Sequence, residues 1–243
     1  MRIFWSIKKR IYRLLGKRFS IVIRDGKFLL LDNLNWIDTR LLIKQPYEKL
    51  QIQRAYHLAQ KNECDLFLDI GANIGLYTIK IGSLPGIDVH AFEPVLRNFY
   101  QLNANLMLNN LEYKVTSHKV ALSDEDDEVV IFVDPNSTGI SRIDLGDRSE
   151  SCFTSKEKIQ TTKLDSMYHW KNKKIFIKID VEGHELNVLN GMQKILKSNQ
   201  CIVLIEAFEG DAAVLLQLKM KEMGFDQHHN EGDYLFSNYK FIP

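Results

Sequence analysis

From Asp65 to the C-terminus, short apolar runs alternate with amphipathic stretches, and this alternation narrows the possible folds more than any other feature of the chain. The runs are Leu66 to Ile70, Val89 to Phe92, Val115 to Val120, Ile175 to Ile179 and Ile202 to Ile205. Between and after them lie helical stretches at Ile74 to Ser83, Val95 to Asn109, Glu185 to Ser198 and Asp211 to Met223. Strands that alternate with helices join by right-handed crossovers and build a parallel sheet covered on both faces. Two last runs, near Phe225 to His228 and Tyr234 to Ser237, flank a polar turn and predict a terminal hairpin added to that sheet. The expected class is α/β, and 243 residues suit one large domain with additions better than two equal domains.

Ahead of this body, Ser20 to Arg24 and Lys27 to Leu31 read as strands joined at Asp25-Gly26, a hairpin turn dipeptide. Tyr47 to Lys61 reads as a helix whose apolar side is Ile52, Ala55, Tyr56 and Ala59. The expected divisions are an arm at 1–19, a hairpin and helix at 20–62, and a main domain at 63–243. In the arm, Phe4, Ile7, Ile11, Leu14 and Leu15 recur at helical spacing among basic residues, the pattern of a basic amphipathic helix. Such a helix suits peripheral contact with an anionic membrane through residues 1–18, or docking against protein. Between Val120 and Ile175 the alternation is interrupted by one expected strand, Val129 to Val133, and a polar loop reaching about Lys158. A long loop in a compact domain is usually functional or mobile.

Charge and cysteine content exclude several functions. Residues 1–18 hold seven Lys or Arg and no acid, which leaves 25 basic against 31 acidic residues in the rest. That mildly acidic body lacks the clustered positive charge of a nucleic-acid groove. Cys64, Cys152 and Cys201 are odd in number and widely spaced, against a disulfide scaffold or a thiolate metal site, so a cytoplasmic location is expected. No run of about 18 apolar residues is present to span a bilayer.

The most informative segment is Leu66 to Tyr77, a buried strand, a glycine-bearing turn and an immediate helix. Gly71 lets the chain turn tightly and leaves backbone open to a ligand, Asn73 tolerates positive φ, and Gly75 lets the helix start pack closely. Asp69 ends the strand, where its carboxylate holds the turn or faces a cationic ligand group. Glu93 ends the next strand, in the place where a carboxylate takes both hydroxyls of a ribose. The dinucleotide pattern fits poorly, because Asn73 and Leu76 stand where it needs glycines. A nicotinamide-dependent oxidoreductase stays open as an alternative, as does a tight turn with no ligand.

At these residues the chain resembles class I S-adenosylmethionine-dependent methyltransferases and, more narrowly, the FkbM family. The resemblance rests on FLDIGANIGLYTI, AFEP ending at Pro94, ALSD at Ala121 to Asp124, TTKLDS at Thr161 to Ser166 and IKIDVEGHE at Ile177 to Glu185. It covers about Gln45 to Asn238. It implies a Rossmann-like, seven-stranded, mostly parallel sheet with an antiparallel last strand, and methyl transfer from S-adenosylmethionine, commonly to a hydroxyl of a sugar or polyketide. By position, it implies that Asp69, Gly71, Asn73 and Gly75 surround the methionine end of the cofactor and that Glu93 takes the ribose. Ser123 and Asp124 would lie near the adenine, unless Asp124 only begins the solvated acidic run Asp124 to Glu128.

The fourth core strand delivers Asp180, Glu182, Gly183, His184 and Glu185 to the edge where open sheets bind ligands. Asp180 is expected nearest the methyl group, with Glu182 and His184 as competing general bases; helix capping is the structural alternative for this cluster. Glu206 ends the fifth strand and is expected to line the acceptor pocket, with Arg142 in the loop Asn136 to Arg142 as a lid. A divalent ion on Asp180, Glu182 and Glu206 is left open, and none is assigned. The expected activity is O-methylation of a sugar hydroxyl on a glycan or glycolipid precursor; a non-catalytic cofactor-binding partner protein is the remaining alternative.

Overall fold

The structure is a computed structural model that describes residues 18–134, 141, 143, 155–207, 210–230 and 232–242. The basic arm through residue 17, and Arg142, lie outside the described residues.

A hairpin of β1 (Phe19–Arg24) and β2 (Lys27–Asp32) opens the fold, turning at Asp25-Gly26 with Ile23 paired to Phe28. A seven-residue helix follows, α1 (Trp36–Leu42), which the sequence pattern does not predict. It starts because the Asn35 side chain accepts from the backbone N–H groups of Ile37 and Asp38. Next come α2 (Lys49–Lys61), β3 (Leu66–Ile70), α3 (Leu76–Ile81), β4 (Asp88–Phe92), α4 (Leu96–Leu108) and β5 (Val115–His118). Strands β6 (Ala121–Leu122), β7 (Asp127–Val133) and β8 (Ser155–Thr162) precede the single turn α5 (Leu164–Met167) and β9 (Lys174–Ile179). The chain ends with α6 (Glu185–Gly191), α7 (Gln193–Ser198), β10 (Gln200–Ile205), α8 (Asp211–Glu222), β11 (Asp226–His228) and β12 (Tyr234–Ser237).

Seven strands form the central sheet in the order β11-β12-β10-β9-β3-β4-β5. Pairings from β5 to β10 are parallel, and β12 runs antiparallel to both β10 and β11, as the terminal hairpin predicts. Alternate residues of each strand feed two cores. Phe67 and Phe176, neighbours in register with rings 5.5 Å apart, face Leu58, Ile79 and Leu102 of α2, α3 and α4. Leu68, Ile70 and Ile177 face Val188, Ile195 and Leu216 of α6, α7 and α8. Each fully buried side chain of this size stabilises the fold by roughly 1.5–3 kcal/mol.

Two segments depart from the sequence pattern. The helix expected over Glu185 to Ser198 is two helices, broken at Gly191-Met192. A Cβ on Gly191 would lie 1.8 Å from the Ser123 carbonyl oxygen, so backbone contact with the β6 edge sets the break. The interruption before Ile175 contains β8, which pairs with β6 and β7 in a separate three-stranded sheet; its polar SKEKIQTT sequence buries only Ile159 and Thr161 and gives little apolar signal.

The hairpin is tied to the main domain by side-chain amides. Gln101 and Asn105 on α4 and Asn109 at its C-cap, four residues apart, bond the free edge of β2 at Leu30 and Phe28 with distances of 2.6–3.1 Å. They satisfy a strand edge that would otherwise invite another strand.

Candidate active site

The chain steps from β3 out to β4 and β5, then returns to place β9 on the other side of β3. Ligands bind at such a switch point, beyond the carboxyl ends of the strands. Here the N–H groups of Gly71 and Ala72 bond the Phe92 carbonyl at 3.0 Å, and the Asp180 N–H bonds the Ile70 carbonyl at 3.0 Å. These bonds clamp the ends of β3, β4 and β9 around one cleft of about 620 Å³.

Gly71 has φ +80°, and a Cβ there would stand 1.8 Å from the Asp180 carbonyl oxygen, so the turn accepts no side chain without moving β9. Asn73 adopts the left-handed conformation at φ +50°. Glu93 is 4% exposed; one carboxylate oxygen accepts from Asn73 N at 2.8 Å and the other from Val95 N at 2.9 Å. Burial pushes Glu93 up to about 7, and those backbone donors oppose the shift. Asn98 Nδ2 donates to the second oxygen at 3.5 Å, and the three donors still leave acceptor capacity on this carboxylate for a hydroxyl group.

Gly71, Asn73, Glu93, Asp180, Glu182 and His184 all border the cleft. The other expected residues stand elsewhere. Asp69 is buried behind the turn, where one oxygen accepts from the Thr78 hydroxyl at 2.5 Å. Gly75 faces Leu102, whose Cδ1 would be 2.4 Å from a Cβ there. Ser123 bonds His184 Nε2 at 2.9 Å, and Asp124 accepts from Asn187 at 2.9 Å, which holds its carboxyl below the usual range. These two sit just behind the cleft wall rather than among its lining residues. Glu182 is left-handed at φ +55°, so the turn after β9 holds one strained residue where it meets the cleft, followed by Gly183 at φ +105°.

One wall of the cleft is apolar, and no motif in the chain marks it. Phe92 and Val95, with Val120, Leu122 and Ile131 beside the small sheet, line one side of the cleft. Asn98 on α4 lines it as well, and its Oδ1, like that of Asn73, is buried with no hydrogen-bond partner among the described residues.

Next to Asp180 lies a buried charge cluster. Lys178 is 5% exposed, with Nζ 2.9 Å from Asp180 and 4.8 Å from the centre of the Tyr77 ring. Burial alone would lower its value, but Asp180, Asp69 and Glu48 overcome that and hold the ammonium above its ordinary range. Glu48, left-handed at φ +45°, is hydrogen-bonded by Tyr47 and Tyr77 and raised by burial. Glu206 follows β10, its N–H bonding the Ile179 carbonyl at 2.9 Å, which sets it beside Asp180 at the sheet edge. The Asp180 charge, then burial, pushes it up to about 8. Asp233, before β12, is pushed up to about 6 by burial. Among the described residues, no group of three His, Cys, Asp or Glu is arranged to hold a metal ion.

An apolar slot, a carboxylate with open acceptor sites at the end of β4 and a bare turn at the end of β3 suit an adenosine-bearing cofactor. Order of strands and position of the cleft define the class I methyltransferase fold. A putative caffeoyl-CoA O-methyltransferase from Staphylococcus aureus superposes with a TM-score of 0.51 at 11% identity, over 83% of this chain and 88% of that one. The tRNA (uracil-54, C5)-methyltransferase of Pyrococcus abyssi, solved with S-adenosyl-L-homocysteine, gives 0.51 at 11% identity over 91% of this chain and 44% of that one. By sequence, the chain is 23% identical over 171 residues to Methyltransferase 1 of Beauveria bassiana (strain ARSEF 2860), covering 63% of this chain and 68% of the relative. The methyltransferase FkbM domain matches residues 69–230, and the chain belongs to that family.

Proposed function

We propose that the chain transfers a methyl group from S-adenosylmethionine to a hydroxyl, that of a sugar on a glycan or glycolipid precursor. The observation that carries the cofactor reading is the cleft in which Gly71, Asn73, Glu93 and Asp180 meet at the switch point. In this reading Glu93 accepts the ribose hydroxyls, Phe92, Leu122 and Ile131 sandwich the base, and Gly71, Asn73 and Asp180 surround the methionine end. When bound, the cofactor supplies an activated methyl group on a sulfonium. The protein's part is alignment of the acceptor, which supplies roughly 7 to 11 kcal/mol in well-oriented reactions, and removal of the acceptor's proton.

For the proton, Glu206 is the best-suited group. Its value of about 8 matches a base working near neutral pH, and it shares the sheet edge with Asp180. The Asp180 carboxylate is already engaged by Lys178 at 2.9 Å, and His184 directs Nε2 at Ser123. In the described residues no helix is long and apolar enough to cross a membrane; the basic residues 1–18 bring the enzyme to an anionic membrane surface, where a glycolipid acceptor would be found.

Calorimetric titration with S-adenosylhomocysteine, with NADH in a parallel cell, tests the cofactor. Micromolar binding of the first alone, weakened in Glu93→Ala, is expected; binding of NADH alone would overturn the reading. With an acceptor in hand, Glu206→Gln should lower kcat by about 10²- to 10⁴-fold and remove a rise in rate through pH 8. An unchanged pH profile rejects Glu206 as the base.

A further inference from the structure

A second pocket, a half-open depression of about 570 Å³ including its solvent-filled mouth, lies between the β1–β2 hairpin and helices α2 and α3, and it shares no lining residue with the cleft. Its floor is hydrocarbon from Leu29, Leu41, Ile52, Leu76 and Ile79. Its border is cationic, with Arg24, Lys27, Lys49 and Lys80 against one carboxylate, Asp25.

Two of those cations already have partners. Lys49 Nζ is 2.6 Å from Asp25, and the Arg24 guanidinium donates to the carbonyls of Ile23, Leu41 and Leu42. Lys27 and Lys80 have no carboxylate partner among the described residues. Lys27 donates to the Ser83 hydroxyl at 2.5 Å, and the Lys80 ammonium stands 4.7 Å from the centre of the Tyr56 ring. Partial burial, then the like charges of Lys80 and Lys114, holds the Lys27 ammonium below its ordinary value, so an anion placed there would relieve repulsion. The chain's own first 18 residues do not complement this border, since they carry seven basic residues and no acid.

We propose that this pocket binds an anionic amphiphile, its hydrocarbon chain on the floor and its acidic head between Lys27 and Lys80. A small free anion would leave the floor wet, and a neutral hydrocarbon would leave the two ammonium groups uncompensated. The same chemistry, an acidic head on a single hydrocarbon chain, could be presented by a membrane lipid or by a soluble alkyl phosphate. The site is separate from the cofactor cleft, so it stands whether or not the acceptor is a glycolipid.

The test is calorimetry of the full chain with octyl and decyl phosphate below their micelle thresholds, with inorganic phosphate and decanol as controls. Burial of each methylene strengthens binding about fourfold, so decyl phosphate should bind on the order of tenfold tighter than octyl phosphate. A Lys27→Gln/Lys80→Gln variant should bind decyl phosphate at least tenfold more weakly with an unchanged thermal midpoint, and Ile52→Trp should obstruct the chain. The proposal is overturned if inorganic phosphate or decanol binds as tightly as decyl phosphate, or if both variants bind like the wild type. Flotation with phosphatidylglycerol vesicles then separates the sources. The basic arm floats part of the protein in either case, so flotation reduced in the double lysine variant assigns the pocket to a membrane lipid; equal flotation beside weakened decyl phosphate binding assigns it to a soluble amphiphile.

Discussion

Replacing Lys178 with methionine keeps an unbranched side chain of similar volume and deletes an ammonium inside a group of carboxylates. Asp180 is 2.9 Å away, and Asp69 and Glu48 also act on the charge. Removing one partner of a buried pair costs about 3–5 kcal/mol, because the other charge stays behind uncompensated. The Asp180 side chain is 25% exposed and recovers some solvation, so the lower end applies, about 3 kcal/mol. In a chain of this size each kcal/mol moves the thermal midpoint by roughly 2–4 °C, giving a loss of about 6 to 12 °C. The loss should depend on pH. Glu48 and Asp69 are raised by burial, Asp233 is pushed up to about 6 and Glu206 to about 8. A carboxyl raised in the folded state takes stability away as pH climbs from its ordinary value through its folded value. Lys178, itself raised, stays charged across that window and limits the loss. Thermal melts of wild type and Lys178→Met at pH 5 and pH 8 should therefore show the wider gap at pH 8. A deficit under about 1 kcal/mol, or a wider gap at pH 5, would refute a buried ion-pair role for Lys178.

Glu93→Gln retains one acceptor oxygen but turns an amide N–H₂ toward a backbone N–H, so it should cost about 1–3 kcal/mol and weaken S-adenosylhomocysteine. Because Glu93 is raised to about 7, wild-type stability should fall from about pH 4.5 to pH 7, and urea midpoints of the variant should lack that part of the decline. Gly71→Ala should destabilise by about 1–2 kcal/mol from the left-handed backbone alone, with more added as β9 yields to the new Cβ; an unchanged thermal midpoint would contradict the geometry. On the acid side, His90 Nδ1 and His118 Nε2 are 3.1 Å apart in a stacked pair, and burial followed by the His90 charge pushes His118 down to about 4. A depressed histidine contributes stability above its ordinary value and loses it as pH falls through 4; His118→Phe should flatten the stability curve between pH 6 and 4.

Much of the molecule was legible in the chain because the signals are local. Five core strands and four helical stretches show their period directly, and Gly71, Glu93 and Asp180 are each the first residue after a buried run, those of β3, β4 and β9. A strand's carboxyl end points at the switch point whatever the loops do, so these positions could be named before any tertiary contact was known. The helix α1, by contrast, depends on a capping Asn35 within a short segment of weak period, and the break at Gly191 depends on a backbone contact with Ser123, 68 residues away.

What only the tertiary structure decided is which residues share a space. Gly75 packs its helix start on Leu102, the close packing its position predicts, and is not among the cleft's lining residues, while Ser123 bonds His184 of the cleft without lining it. The apolar wall gathers Phe92, Leu122 and Ile131 from two different sheets, and the charge around Lys178 comes from Glu48, Asp69, Asp180 and Asp233, spread across nearly the whole chain. Periodicity records which face of an element is buried, but not which distant element covers it. Burial and Coulomb interaction act through space, so the titration of Glu206 and the border of the hairpin pocket exist only once the crossovers have brought those residues together.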